Sequence, residues 1–288
     1  MAHEPVLRSC TICGTGSPLE RSVPEAELFR CPECDHCFTD LNSVAGLETY
    51  GAEYFETTHK RWFENPNYPL FRRIASYLSK LPARAEVIDV GCGRGDFLRF
   101  LGGAGLDLSL VGVDFAAPAP GSGIHFIRGD VMEVPIAQSF DAVVSLAVIE
   151  HVPDVHRFVE RLRELCVPGG LIVIMTNHEG GLLYRLARLL HRLGYRRPCE
   201  RLYSKHHLNH FNVSSLTRLL RLHRLAIEDI RYHNTPIAAV DIPAASAATE
   251  TILRALVWGV WILGRLTRQT FLQVVVCRRH LDTPDTPG

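Results

Sequence analysis

Residues 87–97 read VIDVGCGRGDF. An apolar, β-rich run over Glu86–Val90 enters three alternate glycines, Gly91, Gly93 and Gly95, and leaves them for the helically spaced Phe97, Leu98, Phe100 and Leu101. That is strand, glycine loop, helix. To either side, further strands are expected at Ser109–Asp114, Ile124–Arg128, Phe140–Leu146 and Gly170–Thr176, with a helix from about Asp154 to Cys166 before the last. Ala226–Tyr232 and Thr270–Cys277 read as a sixth and a seventh strand, paired antiparallel. Such alternation predicts an α/β fold with a doubly wound, mostly parallel seven-stranded sheet, which takes ligands at the carboxyl ends of its strands.

A GxGxG run alone fits a dinucleotide loop or merely a tight turn into a helix. Its surroundings narrow the choice. Asp114 ends the second strand about twenty residues on, where an acidic side chain reaches two ribose hydroxyls of a nucleoside. Asp130 and Val131 follow the third strand in GDVMEVP, and the fourth strand runs as FDAVVSLAVIEHVPD over Phe140–Asp154. Over most of Glu86–Thr176, this order of segments resembles the class I S-adenosylmethionine-dependent methyltransferases. The resemblance implies their Rossmann-like fold and S-adenosylmethionine as cofactor. It implies that Gly91 and Gly93 admit the amino-acid end of the cofactor, with Asp89 orienting it. It also implies that Asp114 holds the ribose, that Asp130 and Val131 read the adenine, and that Leu146 lines the floor near the sulfonium. After Asp114 the chain departs from the family: FAAPAPGSG, with Pro118 and Pro120, replaces the usual helix. Phe115 is then expected to cover the adenine in a more open pocket.

Upstream, Cys10 and Cys13 form one CxxC, Cys31 and Cys34 another, with 17 residues between them. Each CxxC turn sets two sulfurs on one side of a tight knuckle, and two knuckles complete a tetrahedron. A four-thiolate zinc is expected, and with no open coordination position it is structural. His36 and Cys37 adjoin the second pair, and an iron–sulfur cluster is the alternative. The chain thus divides into a zinc-ribbon-like head over 1–45, a helical and aromatic linker over 46–85, and a methyltransferase domain over 86–288 with insertions at about 178–212 and 237–268. Tyr50, Tyr54, Phe55, Trp62, Phe63 and Tyr68 in the linker read as packing between lobes.

Methyl transfer to a heteroatom is an in-line displacement on an already activated sulfonium, so the protein supplies proximity and, where needed, a base. His151, after Glu150 at the mouth of the fourth strand, is a candidate base; the competing reading is a histidine that pins the next helix, with Asp154 as its cap. His207 and His210 are two more candidates, in KHHLNHFNVSSL over Lys205–Leu216. They lie before a helix expected to begin at Leu216 under a Ser214 or Ser215 cap. A second metal on these histidines is disfavoured, because no carboxylate sits at ligand spacing within the segment.

With 47% hydrophobic and 22% charged residues, the 288-residue chain is not disordered, collagenous or a coiled coil. Its net charge is zero, yet residues 1–179 carry 15 basic and 24 acidic side chains and the remainder 16 and 7. Most of the basic excess lies between Arg185 and Lys205, as a solvated helical face or as a site for an anionic substrate or membrane surface. An apolar helix from about Thr249 to Leu266 reads as buried, with contact to lipid or a second subunit as the sharper alternative. A peripheral membrane contact would run through 180–205 and 249–266; the oligomeric state stays open. An odd count of nine cysteines and an N-terminus without an apolar segment suggest a reducing cytoplasm.

The head followed by FTD, a tyrosine-rich link ending in EYF at Glu53–Phe55, and the glycine-loop core resemble a bacterial group that tailors sugars, polysaccharides and secondary metabolites. The resemblance implies methylation of a small molecule or glycoconjugate, at oxygen. One alternative is a ribosomal RNA guanine methyltransferase, which also places a zinc head before such a core. Another is a methyltransferase-like binding protein without activity. The acidic head, with Glu20, Glu25, Glu27, Glu33, Asp35 and Asp40, argues against nucleic acid as partner. Intact Gly91, Gly93, Asp114 and Asp130 argue against a dead pocket.

Overall fold

The computed structural model describes residues 6–44, 60–116, 118, 123–242 and 246–281; Tyr50, Tyr54, Phe55 and Pro120 lie outside the described residues. The head contributes four short strands, β1 (Leu7–Ser9), β2 (Gly16–Val23), β3 (Ala26–Arg30) and β4 (Cys37–Thr39). Helices α1 (Lys60–Glu64) and α2 (Tyr68–Leu78) follow. Asn67 caps α2 by accepting the Leu70 N–H, and a proline occupies the first turn, where its missing N–H leaves no bond unmade. The helix then buries Leu70, Phe71, Ile74 and Leu78 along one face.

The body alternates β5 (Ala85–Val90), α3 (Asp96–Gly103), β6 (Leu108–Asp114), β7 (Ile124–Arg128), β8 (Phe140–Leu146), α4 (Val155–Leu165) and β9 (Cys166–Asn177). Next come α5 (Leu182–Arg192), α6 (Arg197–Leu202), the two-residue strand β10 (Asn209–His210) and α7 (Val213–Leu222). The fold closes with β11 (Leu225–His233), α8 (Ala247–Leu266) and β12 (Leu272–Arg279).

Seven strands form one sheet in the order β11-β12-β9-β8-β5-β6-β7. It is parallel except at β12, which is antiparallel to both β11 and β9. Strand order reverses between β5 and β8, and a doubly wound sheet takes its ligand in the crevice above that point. Val87 packs with Ile74, Phe97 and Leu98 on one face of β5, while Ile88 and Val90 pack with Phe158, Val159 and Leu162 on the other. Burial on both faces is the reason this strand is a near-continuous apolar run.

The head shares this core. β10 pairs antiparallel with β4, Asn209 opposite Phe38 and His210 opposite Cys37, so a strand from the body completes the head's sheet in the order β1-β2-β3-β4-β10. Ile12, Phe29 and Phe38 are buried in one cluster with Phe158, Phe211 and Leu216.

Three expectations are corrected. α7 begins at Val213 rather than Leu216, because Asn212 is the N-cap and Ser215 closes a capping box with it. β9 starts at Cys166, directly from α4, and is longer than the Gly170–Thr176 expected. α8 is not the buried helix its composition suggested: its buried residues are Trp261 and Gly264 alone. Apolar content shows that a helix has a face to cover; it does not supply the covering element.

Candidate active site

At the end of β5 the backbone enters a cradle that only glycine fits. Gly91 and Gly93 adopt φ of 75° and 53°, the left-handed region. A Cβ on Gly91 would also stand 2.2 Å from Val148 Cγ2. Asp89, two residues before Gly91, is buried, and its Oδ1 has no hydrogen-bond partner among the described residues. Burial, together with the charge of Asp114, pushes the Asp89 carboxyl up to about 8. An orphaned buried acid of this kind is completed by a cation or a strong N–H donor.

The other residues expected to hold a nucleoside lie at the same rim. Asp114 Oδ2 accepts the Gly93 N–H at 2.9 Å and Oδ1 the Ala116 N–H at 2.8 Å, so this side chain already ties the glycine loop to the end of β6. Phe115 stands 47% exposed in the turn that follows. Asp130 Oδ1 accepts the Met132 N–H at 2.9 Å, Val131 is buried, and Leu146 is half-buried at the end of β8. The S-adenosylmethionine that the resemblance implies fits this donor set. The unpartnered Asp89 oxygen suits its amine or sulfonium, and the bare Gly91 backbone leaves room for close approach.

The chain leaves β8 through Ala147, held at a φ of 58°. That turn puts Val148 over Gly91 and returns Glu150 to the interior. Glu150 is buried, accepts the Thr176 hydroxyl at 2.7 Å, and has its carboxyl pushed up to about 7 by burial. Its backbone carbonyl accepts the N–H groups of Leu208 at 2.7 Å and Asn209 at 3.0 Å. These two bonds draw the histidine-rich loop onto the mouth of β8. Glu150, His151 and His207 consequently present side-chain ligand atoms within 4.8 Å of one another. The carboxylate missing from the histidine segment is thus supplied by the fourth strand, a meeting that only the fold creates.

His151 Nδ1 lies 2.7 Å from the carbonyl oxygen of His206. A carbonyl only accepts, so Nδ1 carries the proton and Nε2 keeps the lone pair. The His207 ring stands edge-on, 4.8 Å from that of His151. His210 is placed differently. It is buried, its Nε2 lies 3.2 Å from the Thr39 hydroxyl, and its ring packs against Tyr203. Burial, with the neighbouring His36 and Arg30, brings it down to about 3, so it stays neutral in the joint between head and body.

In the head, the sulfurs of Cys10 and Cys34 are 3.5 Å apart, those of Cys13 and Cys31 3.4 Å, and those of Cys13 and Cys34 3.7 Å. A tetrahedron with zinc–sulfur bonds of about 2.3 Å has edges of about 3.8 Å, so the four thiols fit zinc. Each knuckle is closed by a backbone turn, Gly14 N–H to Cys10 at 2.9 Å and Asp35 N–H to Cys31 at 3.0 Å. Burial opposes ionisation at Cys13, yet the hydrogen bonds of Thr15 bring its thiol down to about 6. Cys37 stays out of the cluster, buried among Leu28, Tyr184, Cys199 and Tyr203.

Of the linker aromatics, Trp62 packs on the core of the body and Tyr68 on Phe71 and Phe100, so both pack within the body rather than between the lobes as expected. Phe63 instead receives the guanidinium of Arg94, from the glycine loop, 5.4 Å from its ring centre. Next to it, a cavity of about 570 Å³ is lined by Arg61, Glu64, Asn65, Ile237, Ala238 and Arg254. Sequence reasoning missed this cavity, since its walls come from the linker and the last insertion. Arg188, counted with the basic stretch, turns inward to Glu179, which also binds Arg30 at 2.6 Å.

A family model described as a methyltransferase domain matches residues 61–229. The chain belongs to that family, and by family and fold it is a class I S-adenosylmethionine-dependent methyltransferase. A ubiquinone biosynthesis O-methyltransferase of Azorhizobium caulinodans is 34% identical over 105 residues, which is 32% of this chain and 40% of the relative. A tRNA (carboxymethyluridine(34)-5-O)-methyltransferase of Arabidopsis thaliana is 27% identical over 120 residues, 39% of this chain and 29% of the relative. The chain thus spans well under two thirds of the length of these curated relatives. Among solved structures, phosphoethanolamine N-methyltransferase 2 of Haemonchus contortus, in complex with S-adenosyl-L-methionine, is similar in fold, with a TM-score of 0.53 and 14% identity. The likeness covers 85% of this chain and 62% of that one.

Proposed function

We propose that the chain transfers a methyl group from S-adenosylmethionine to an oxygen of a small-molecule or glycoconjugate acceptor, and that a structural zinc holds its head. The buried, unpartnered Asp89 carboxyl beside the Gly91 cradle is the observation that carries this reading. Both relatives described above are named for transfer to oxygen, which supports oxygen as the atom methylated.

Bound at the β5–β8 rim, S-adenosylmethionine supplies a methyl group already activated by a sulfonium. Asp89 and Asp114 would hold its amine and ribose and Asp130 and Val131 the edge of its base, with Phe115 and Leu146 as further lining residues. His151 Nε2 accepts the proton of the acceptor hydroxyl. The bond from Nδ1–H to His206 fixes the tautomer, and buried Glu150 favours the imidazolium that forms. His207, edge-on to His151, is the second candidate base; His210, buried and neutral, serves the joint instead.

The test is turnover with radiolabelled S-adenosylmethionine against nucleotide-sugars, phenolic aglycones and total tRNA. Label on a small molecule, sensitive to His151→Asn, supports the reading. Label on RNA alone would overturn it in favour of the nucleic-acid alternative.

A further inference from the structure

Helix α8 is fastened to the body by one face only. The Trp261 indole N–H donates to the Thr235 carbonyl at 2.8 Å, its ring stacks on Phe271, and Gly264 lies against the backbone of Gln269 and Thr270. The opposite face carries Ile252, Leu256, Leu263 and Leu266 at helical spacing, with exposures of 61%, 62%, 50% and 78%. Trp258 widens the stripe. Helix α5 packs beside α8 and adds Leu189 and, just past its end, Leu193, both exposed. A monomeric domain rarely leaves an apolar area of this breadth to water.

The charge around this area is predominantly positive. Arg185, Arg192, Arg196, Arg197, Arg265 and Arg268 are exposed and form no ion pair among the described residues. Of the nearby acids, Glu250 is taken up by Arg61 and Arg254 and Asp241 by Arg201, which leaves Glu200 among the arginines. We infer that the α8–α5 face docks on an anionic lipid bilayer. Apolar side chains enter the boundary between headgroups and acyl chains, and the arginines meet lipid phosphates.

α8 is long and apolar enough to cross a membrane. Its Trp261 face, however, is committed to the body, and the chain returns at once to β12, where Leu272 pairs with Asn177. The helix therefore lies on the bilayer. α5 starts just beyond the carboxyl end of β9, so docking turns the rim of the proposed active site toward the membrane. A second copy of the chain is the poorer occupant, because a two-fold contact would bring both sets of arginines together.

Flotation of the full chain with vesicles tests this without any methyl transfer, so its outcome is separable from the proposed activity. The chain is expected to float with phosphatidylcholine vesicles containing phosphatidylglycerol, not with phosphatidylcholine alone, and to be released by high salt. Leu256→Glu with Leu263→Glu, and separately Arg192→Glu with Arg196→Glu, should each lower the bound fraction on the order of tenfold. Melting temperature and calorimetric affinity for S-adenosylmethionine should match the unmodified chain. Absence of flotation, equal binding to both vesicles, or a dimer by light scattering that Leu256→Glu dissociates would each overturn the inference.

Discussion

Thr39, on the last strand of the head, donates its hydroxyl to the carbonyl oxygen of His207 at 3.0 Å, and its N–H donates to the carbonyl of Leu208 at 2.9 Å. The strand that continues the cysteine knuckles therefore holds the loop on which His207 stands edge-on to His151. The head acts as a positioning device for the histidine loop.

Cys31→Ser should consequently separate two measurements. Bound zinc, read by atomic absorption, is lost, and turnover falls by on the order of tenfold or more as the loop loosens. Affinity for S-adenosylmethionine, read by calorimetry, stays near that of the unmodified chain, because the head bonds to the histidine loop, whereas Asp114 is held by the Gly93 and Ala116 N–H groups.

Gly91→Ala tests the cradle. The added Cβ meets Val148 at a backbone angle where only glycine is unstrained. The expected cost is about 1–3 kcal/mol in thermal or denaturant unfolding, with cofactor affinity reduced at least in proportion. A variant that melts and binds like the original would remove the reason for glycine here.

Stability of the cofactor-free chain should fall as pH rises from about 7 to about 9, above the range in which the buried neutral histidines, such as His210, make it rise. Asp89 titrates at about 8 in the fold against 3.8 ordinarily, and Glu150 at about 7 against 4.5, in both cases through burial. The unfolded chain sheds these protons first, so the stability from burying the neutral acids is complete below the ordinary values and lost as pH passes the raised ones. Melting temperature followed from about pH 7 to pH 9 should decline, and Asp89→Asn should flatten that decline.

His151→Asn should lower kcat by roughly 10²–10⁴ with little change in the KM for S-adenosylmethionine, and remove the acid limb of the pH–rate profile. His210→Gln should instead lower the melting temperature and leave that limb in place, since His210 is buried against Thr39 and Tyr203.

The β5–α3 turn and the order of strands were legible because burial on both faces forces apolar runs, and a tight turn forces glycine at Gly91. The cysteine pairs were legible because ligand geometry fixes their spacing. What stayed hidden depends on contacts between distant segments. Glu150 reaches His207 only through its carbonyl's bonds to Leu208 and Asn209, and β10 finds β4 across more than half the chain. The start of α7 was misplaced because two serines compete with Asn212, and only the backbone shows which residue caps. For α8, composition could not show that one face would remain uncovered.

Calorimetric titration of the full chain with S-adenosylmethionine near neutral pH, in two buffers of different ionisation heat, reads both affinity and proton release. Asp89 is protonated in the free chain at that pH, so cofactor binding should expel close to one proton, and Asp89→Asn should bind more weakly and expel none. Absence of binding, or binding by Asp89→Asn as tight as the original with no proton released by either, would contradict the assignment of this crevice.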